Sequence, residues 1–100
     1  MDVIFADDDL ARLEVDASFL IRNMPQGIVT AFRRRIQLIR AAPDERDFYK
    51  LKSIRFERLE GKRRNQHSMR LNDQYHLILE LLETNPHRKV VKIIGIEDYH

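Results

Sequence analysis

The stretch Tyr75-His76-Leu77-Ile78-Leu79-Glu80-Leu81 decides the fold class. Tyr75, Leu77, Leu79 and Leu81 alternate with His76 and Glu80, the period-two pattern of a strand with one face buried. Upstream, Asn72-Asp73 reads as a two-residue turn, because both residues tolerate positive φ, and Gln66 to Leu71 reads as the preceding strand. Ile54 and Phe56 begin an extended segment before that. Downstream, Asn85-Pro86-His87 marks a turn, and Lys89 to Ile96 is rich in the β-branched residues that favour strands. The first half of the chain changes period. After a short buried strand at Val3-Ile4-Phe5, the run Asp7-Asp8-Asp9 supplies an N-cap and an acidic first turn to a helix that buries Leu10 and Leu13 and fades near Asp16. Pro25 suits the first turn of a second helix, in which Ile28, Phe32, Ile36 and Ile39 recur at helical spacing until Pro43 stops it. Asp44 can cap one or two further turns through Phe48 and Leu51. The expected architecture is α+β: N-terminal helices packed on one face of an antiparallel sheet of three or four strands, as one domain over residues 1–100.

Composition narrows the class. One hundred residues with 43% hydrophobic content support one modest core. The lack of cysteine removes disulfides, thiolate metal sites and a thiol nucleophile, and suits a reducing cytoplasm. There is no apolar run of the roughly 18–20 residues that span a bilayer and no signal-peptide pattern at the start, so a cytoplasmic protein without a membrane partner is expected. The net charge of +2 hides a strong asymmetry. Residues 1–32 hold six acids against two bases (net −4), residues 33–70 thirteen bases against five acids (net +8), and residues 71–100 come to −2. A middle this basic suits a polyanion such as nucleic acid; a solvated helix face accounts for it equally well.

The chemistry available is limited by what is missing. His67, His76, His87 and His100 form no ligand cluster, so no metal or other cofactor is expected, and the three glycines build no phosphate loop. Two clusters stand out. Lys62-Arg63-Arg64-Asn65-Gln66-His67-Ser68-Met69-Arg70 follows Gly61, and in a strand His67 projects opposite to Ser68 and Arg70. Such a face presents guanidinium groups to phosphate, or it is a charged approach to an edge strand. At the other end, Glu97-Asp98-Tyr99-His100 follows an apolar strand directly. A carboxylate, a phenol and an imidazole make an acid–base set if the sheet holds them, and a frayed tail if it does not.

The segment from Leu59-Glu60-Gly61-Lys62-Arg63 through Ser68-Met69-Arg70-Leu71-Asn72-Asp73-Gln74-Tyr75, together with the terminal Asp98-Tyr99-His100, resembles the HigB toxins of the RelE superfamily. The resemblance implies a RelE-like fold, ribosome-dependent cleavage of mRNA, inhibition of translation, and a hetero-oligomer with a helix-turn-helix antitoxin of the HigA type. By the same resemblance Asp98, Tyr99, His100 and Arg63 are catalytic, and Lys62, Arg64, Arg70 and His76 bind RNA. The chain departs from the family where Glu60 stands in place of the usual Lys before the Gly, with Lys62 as the candidate replacement. His67 stands where relatives often have an aromatic residue, and His76 where they often have Arg. A non-catalytic RNA-binding or ribosome-binding module is the alternative reading of the same residues.

Overall fold

A computed structural model of the chain describes residues 1–16, 18–19, 24–85 and 88–98. Strand β1 (Asp2–Phe5) leads into helix α1 (Asp8–Val15), followed by α2 (Gln26–Ala41) and the short α3 (Arg46–Lys50). Strands β2 (Glu57–Arg58), β3 (Gln66–Arg70), β4 (Tyr75–Asn85) and β5 (Arg88–Asp98) complete the described elements, with single 3₁₀ turns at Lys52–Ile54 and Gly61–Arg63. Among the described residues no helix is long and apolar enough to cross a membrane.

Local chemistry sets the helix ends. The Asp7 carboxylate accepts from the Asp9 backbone N–H at 2.7 Å, satisfying one of the free donors of α1's first turn. Pro25 takes the N-cap of α2 instead of a place inside its first turn, and the helix stops at Ala41, two residues before Pro43. The Met1 ammonium donates to the Ile39, Arg40 and Ala42 carbonyls at 3.2, 3.0 and 2.7 Å, which places a cation on the negative end of α2.

The sheet runs β1-β5-β4-β3-β2. It therefore has five strands among the described residues, one or two more than the alternation predicts, and it is mixed, because β1 pairs parallel to β5 while the other three pairings are antiparallel. Strand β1 is an edge strand with Ile4 45% exposed, so only Val3 and Phe5 turn toward the core. The core lies between the helices and one sheet face: Leu10 and Leu13 of α1, Phe32, Ile36 and Ile39 of α2, and Phe48 of α3 meet Met69, Leu77, Leu79, Val91 and Ile93. At about 25 cal/mol per Å² of apolar area, each of these fully buried side chains contributes roughly 1.5–3 kcal/mol before entropy is counted.

Two further elements differ from the sequence reading. Ile54 lies in a 3₁₀ turn, not a strand, and the extended segment shrinks to Glu57–Arg58; both Ile54 and Phe56 enter the core from a loop, and their two-residue spacing imitates a strand. The β3–β4 connection is residues 71–74 with no positive φ at Asn72 or Asp73. There the Asn72 side-chain oxygen accepts from the Gln74 and Tyr75 backbone N–H groups at 2.8 and 2.7 Å and shapes the loop in place of a type I′ turn. Asn85 pairs with Arg88 as a turn between them requires, but Pro86 and His87 lie outside the described residues.

Candidate functional site

The helices cover one face of the sheet; the opposite face carries Arg70 and His76, two of the residues singled out by sequence. Met69, Leu77 and Leu79 belong to the core, so alternation sends Ser68, Arg70, His76, Ile78 and Glu80 to the helix-free face. His67 turns to the helix side, as its parity predicts, and stacks on Phe56 with ring centroids 4.7 Å apart and planes within 6°.

A bulge sets which end residues of β5 reach that face. Ile78 pairs with Gly95 but Leu79 pairs with Ile93, so Ile94 is the extra residue. The phase of the pleat shifts there. Ile93 and Ile96 both pack against the core although three residues apart, and Glu97, not Asp98, follows onto the helix-free face. Glu97 lies opposite His76, and Asp98 opposite Tyr75 on the helix side, where it accepts from the Gln74 side-chain amide at 3.1 Å.

Arg63 meets Glu97 there. Its guanidinium forms a two-pronged ion pair with that carboxylate, one arm at 3.0 Å, while its Nε donates to Gln66 Oε1 at 3.0 Å. Gln66 belongs to β3 and Glu97 to β5, so the Arg63 head spans the intervening β4, a crossing of roughly 10 Å at the usual strand spacing. It passes between the positions of His76 and Glu80, over Ile78, which is fully buried on a face that has no helix. The turn that aims Arg63 starts at Gly61, whose φ of +68° suits a residue without a Cβ. Arg63 is thus a strap on the sheet, with its charge balanced by Glu97. Lys62 and Arg64, its neighbours, are exposed.

Beside the strap lies a hollow of about 290 Å³ lined by Lys52, Ser53, Arg55, Arg70, Asp73 and His76. Arg70 forms an ion pair with Asp73, a residue 96% exposed. Burial and then the nearby Arg70 guanidinium hold the His76 imidazole below its ordinary pKa, which keeps it neutral at pH 7. The hollow therefore offers three cations, one carboxylate, a hydroxyl and an uncharged imidazole able to take a proton. Arg35 supports it from behind. The Arg35 guanidinium, half-buried on α2, donates to the Arg70 carbonyl at 2.8 Å, and burial lowers its pKa ahead of repulsion from Arg70. Among the described residues there is no cluster of His, Asp and Glu suited to a metal ion.

Of the residues singled out by sequence, Arg63, Arg70 and His76 come together on the helix-free face, Asp98 lies at the same end of the sheet but on the helix side, Lys62 and Arg64 stand on the turn leading to Arg63, and Tyr99 and His100 lie outside the described residues. Lys52, Ser53 and Arg55 were missed. Lys52 and Ser53 lie just before, and Arg55 within, a segment that reads as extended, and the left-handed conformation of Arg55 (φ 45°, ψ 60°) has no glycine to announce it. The basic run on α2 serves mainly the fold. Arg33 donates to the Leu13 and Asp16 carbonyls at 2.8 and 3.0 Å at the end of α1, and Arg40 forks onto Glu14 with two 2.8 Å bonds.

The fold has a counterpart among known proteins. Among solved structures the chain is similar to a YoeB/ParE toxin from Agrobacterium tumefaciens, with a TM-score of 0.56 and 13% identity over all of both chains, a likeness of fold. No curated protein matches. The family model described as the RelE-like toxin HigB of type II toxin–antitoxin systems matches residues 3–93, which takes in Arg63, Arg70, His76 and the whole hollow. Matched over most of its length, the chain belongs to the HigB-like toxins of the type II toxin–antitoxin systems.

Proposed function

We propose that this toxin is an endoribonuclease that cuts mRNA on the ribosome. Family membership implies an antitoxin partner; that this antitoxin is a HigA-like helix-turn-helix protein is part of the proposal. The observation that carries the reading is the β4–β5 register. It sets Glu97 opposite His76, which lines the cationic hollow, and Asp98 opposite Tyr75, and this nearness of the end of β5 to the hollow supports an acid–base role for the residues that follow.

The chemistry asked of the site is internal attack. A ribose 2′-OH loses its proton and bonds to the adjacent phosphorus, the bond to the next nucleotide's 5′-oxygen breaks, and that oxygen gains a proton. The products are a 2′,3′-cyclic phosphate and a 5′-hydroxyl. Proton removal, proton delivery and stabilisation of the added negative charge are the three needs. Arg70, already holding a carboxylate at its guanidinium, is suited to a phosphate oxygen. Neutral His76 on the same wall can accept a proton. His100 is assigned a proton transfer, Asp98 its orientation, and Tyr99 stacking on an unpaired base. Arg63 adds charge to the reacting phosphate by exchanging Glu97 for it, and Lys62 and Arg64 draw in the RNA backbone from the exposed turn.

A shallow hollow can grip a phosphate but cannot by itself bend RNA into line for attack, and the ribosome supplies that geometry, a proximity effect worth several kcal/mol. The test is primer extension on mRNA incubated with purified ribosomes and toxin. Discrete cuts that vanish with Arg70→Ala, in a protein still folded, are expected. An uncut message, bound all the same with salt-dependent affinity, would favour a non-catalytic RNA-binding module.

A further inference from the structure

We infer that Lys52, Ser53 and Arg55 form a phosphate-binding subsite that holds the RNA backbone next to the bond being cut; the inference rests on the endoribonuclease reading for its substrate. These three residues reach the hollow from the 3₁₀ turn and its cap, whereas Arg70 and His76, the groups assigned to the reacting phosphate, come with Asp73 from β3, β4 and the loop between them. The hollow is large enough for more than one phosphate group. With Lys52, Arg55 and Arg70 set against Asp73, and His76 neutral, it keeps an excess of two positive charges. One cation answers the reacting phosphate; Lys52 and Arg55 are left for a neighbouring one, and Ser53 adds a hydroxyl donor.

The backbone supports the assignment. Lys52–Ile54 is a single 3₁₀ turn anchored by Ile54, which is 2% exposed in the core, and it closes when the Arg55 N–H donates to the Lys52 carbonyl at 3.3 Å. That closure puts Arg55 in the left-handed region at φ 45°, where an unbranched polar side chain of this size is uncommon and a strained residue is often kept for function. The effect is to return the residue-55 side chain to the same hollow as that of residue 52. The buried Ile54 between two exposed cations fixes the backbone from which both reach the hollow. The ligand class is a phosphodiester: Arg offers a planar fork to two oxygens and Lys a point charge to a third.

The test uses the full-length toxin and a 2′-O-methyl RNA hexanucleotide, which cannot undergo attack. Affinity is titrated across salt concentration for wild type, the double variant Lys52→Gln/Arg55→Asn, and Arg55→Lys. Asn tolerates the left-handed backbone, so the double variant keeps the turn, which thermal unfolding checks. Losing one phosphate contact on a single strand lowers the slope of log K against log salt by about 0.7. We expect that drop for the double variant, with at least tenfold weaker binding at low salt, and recovery in Arg55→Lys. An unchanged slope in a folded double variant overturns the subsite, as does a wild type with no salt-dependent binding. If the slope falls as expected but wild type leaves ribosome-bound mRNA uncut, the phosphate subsite stands and the endoribonuclease reading alone is lost.

Discussion

Replacing Glu97 by Gln should loosen the strap that Arg63 throws across the sheet, and the size of the effect follows from exposure. The two side chains are 43% and 38% exposed, so water screens the pair and the usual surface range of about 0–1 kcal/mol applies. Its forked geometry puts it at the upper end, near 1 kcal/mol. Arg63→Ala should cost more, about 2 kcal/mol, because it also uncovers Ile78 and removes the bond to Gln66. A double-mutant cycle should therefore return a coupling of about 1 kcal/mol. For a domain of this size each 1 kcal/mol moves the melting temperature by roughly 4–8 °C, so thermal or urea unfolding resolves all three variants. A coupling below about 0.3 kcal/mol, or an Arg63→Ala variant no less stable than Glu97→Gln, would show that Arg63 is not a strap.

His67→Phe should stabilise the protein by about 1 kcal/mol, since the stack on Phe56 is kept while the buried Nδ1, which lacks a hydrogen-bond partner among the described residues, is removed. It should also flatten the acid limb of stability: burial, followed by repulsion from Arg58, lowers the His67 pKa in the fold, so its neutral form adds stability above about pH 6.5 that is lost as pH falls through the depressed value. Unfolding curves between pH 5 and 8 check both statements, and an unaltered pH slope in the variant counts against them. Asp73→Asn removes the carboxylate that competes for Arg70, and should tighten binding of a 2′-O-methyl RNA oligonucleotide severalfold at low salt; weaker binding would place Asp73 among the contacts. His100→Ala, by loss of a proton-transfer group, should slow cleavage on ribosomes by about 10²–10⁴-fold with the melting temperature unchanged, and wild-type rates would remove His100 from the mechanism.

Much of the fold is legible because two periodicities are strong. The alternation from Tyr75 to Leu81 and the helical spacing of Ile28, Phe32, Ile36 and Ile39 survive intact as β4 and α2. What escapes the sequence depends on contacts between distant residues. The parallel pairing of Asp2 with Val90 joins residues at opposite ends of the chain, and no local pattern signals it. The bulge at Ile94 is equally silent in a run of β-branched residues, yet it decides that Glu97 is the residue facing Arg63. The arginines of residues 33–40 show how charge misleads: a basic count suggests nucleic acid, while Arg33, Arg35 and Arg40 are occupied with backbone carbonyls and Glu14. The site was half legible. Arg70 and His76 share a wall of the hollow as strand alternation requires, but Lys52 and Arg55 enter from a turn whose apolar spacing imitates a strand.

The proposed reaction makes a ribose hydroxyl the attacking group at this basic hollow. The most direct measurement places a single 2′-deoxy nucleotide on the 5′ side of a mapped cut in a ribosome-bound message and identifies the product ends. The substituted message should stay whole at that position, while the unmodified message yields a 2′,3′-cyclic phosphate and a 5′-hydroxyl. Cleavage of both messages at equal rates, or a 5′-phosphate on the downstream fragment, would contradict it.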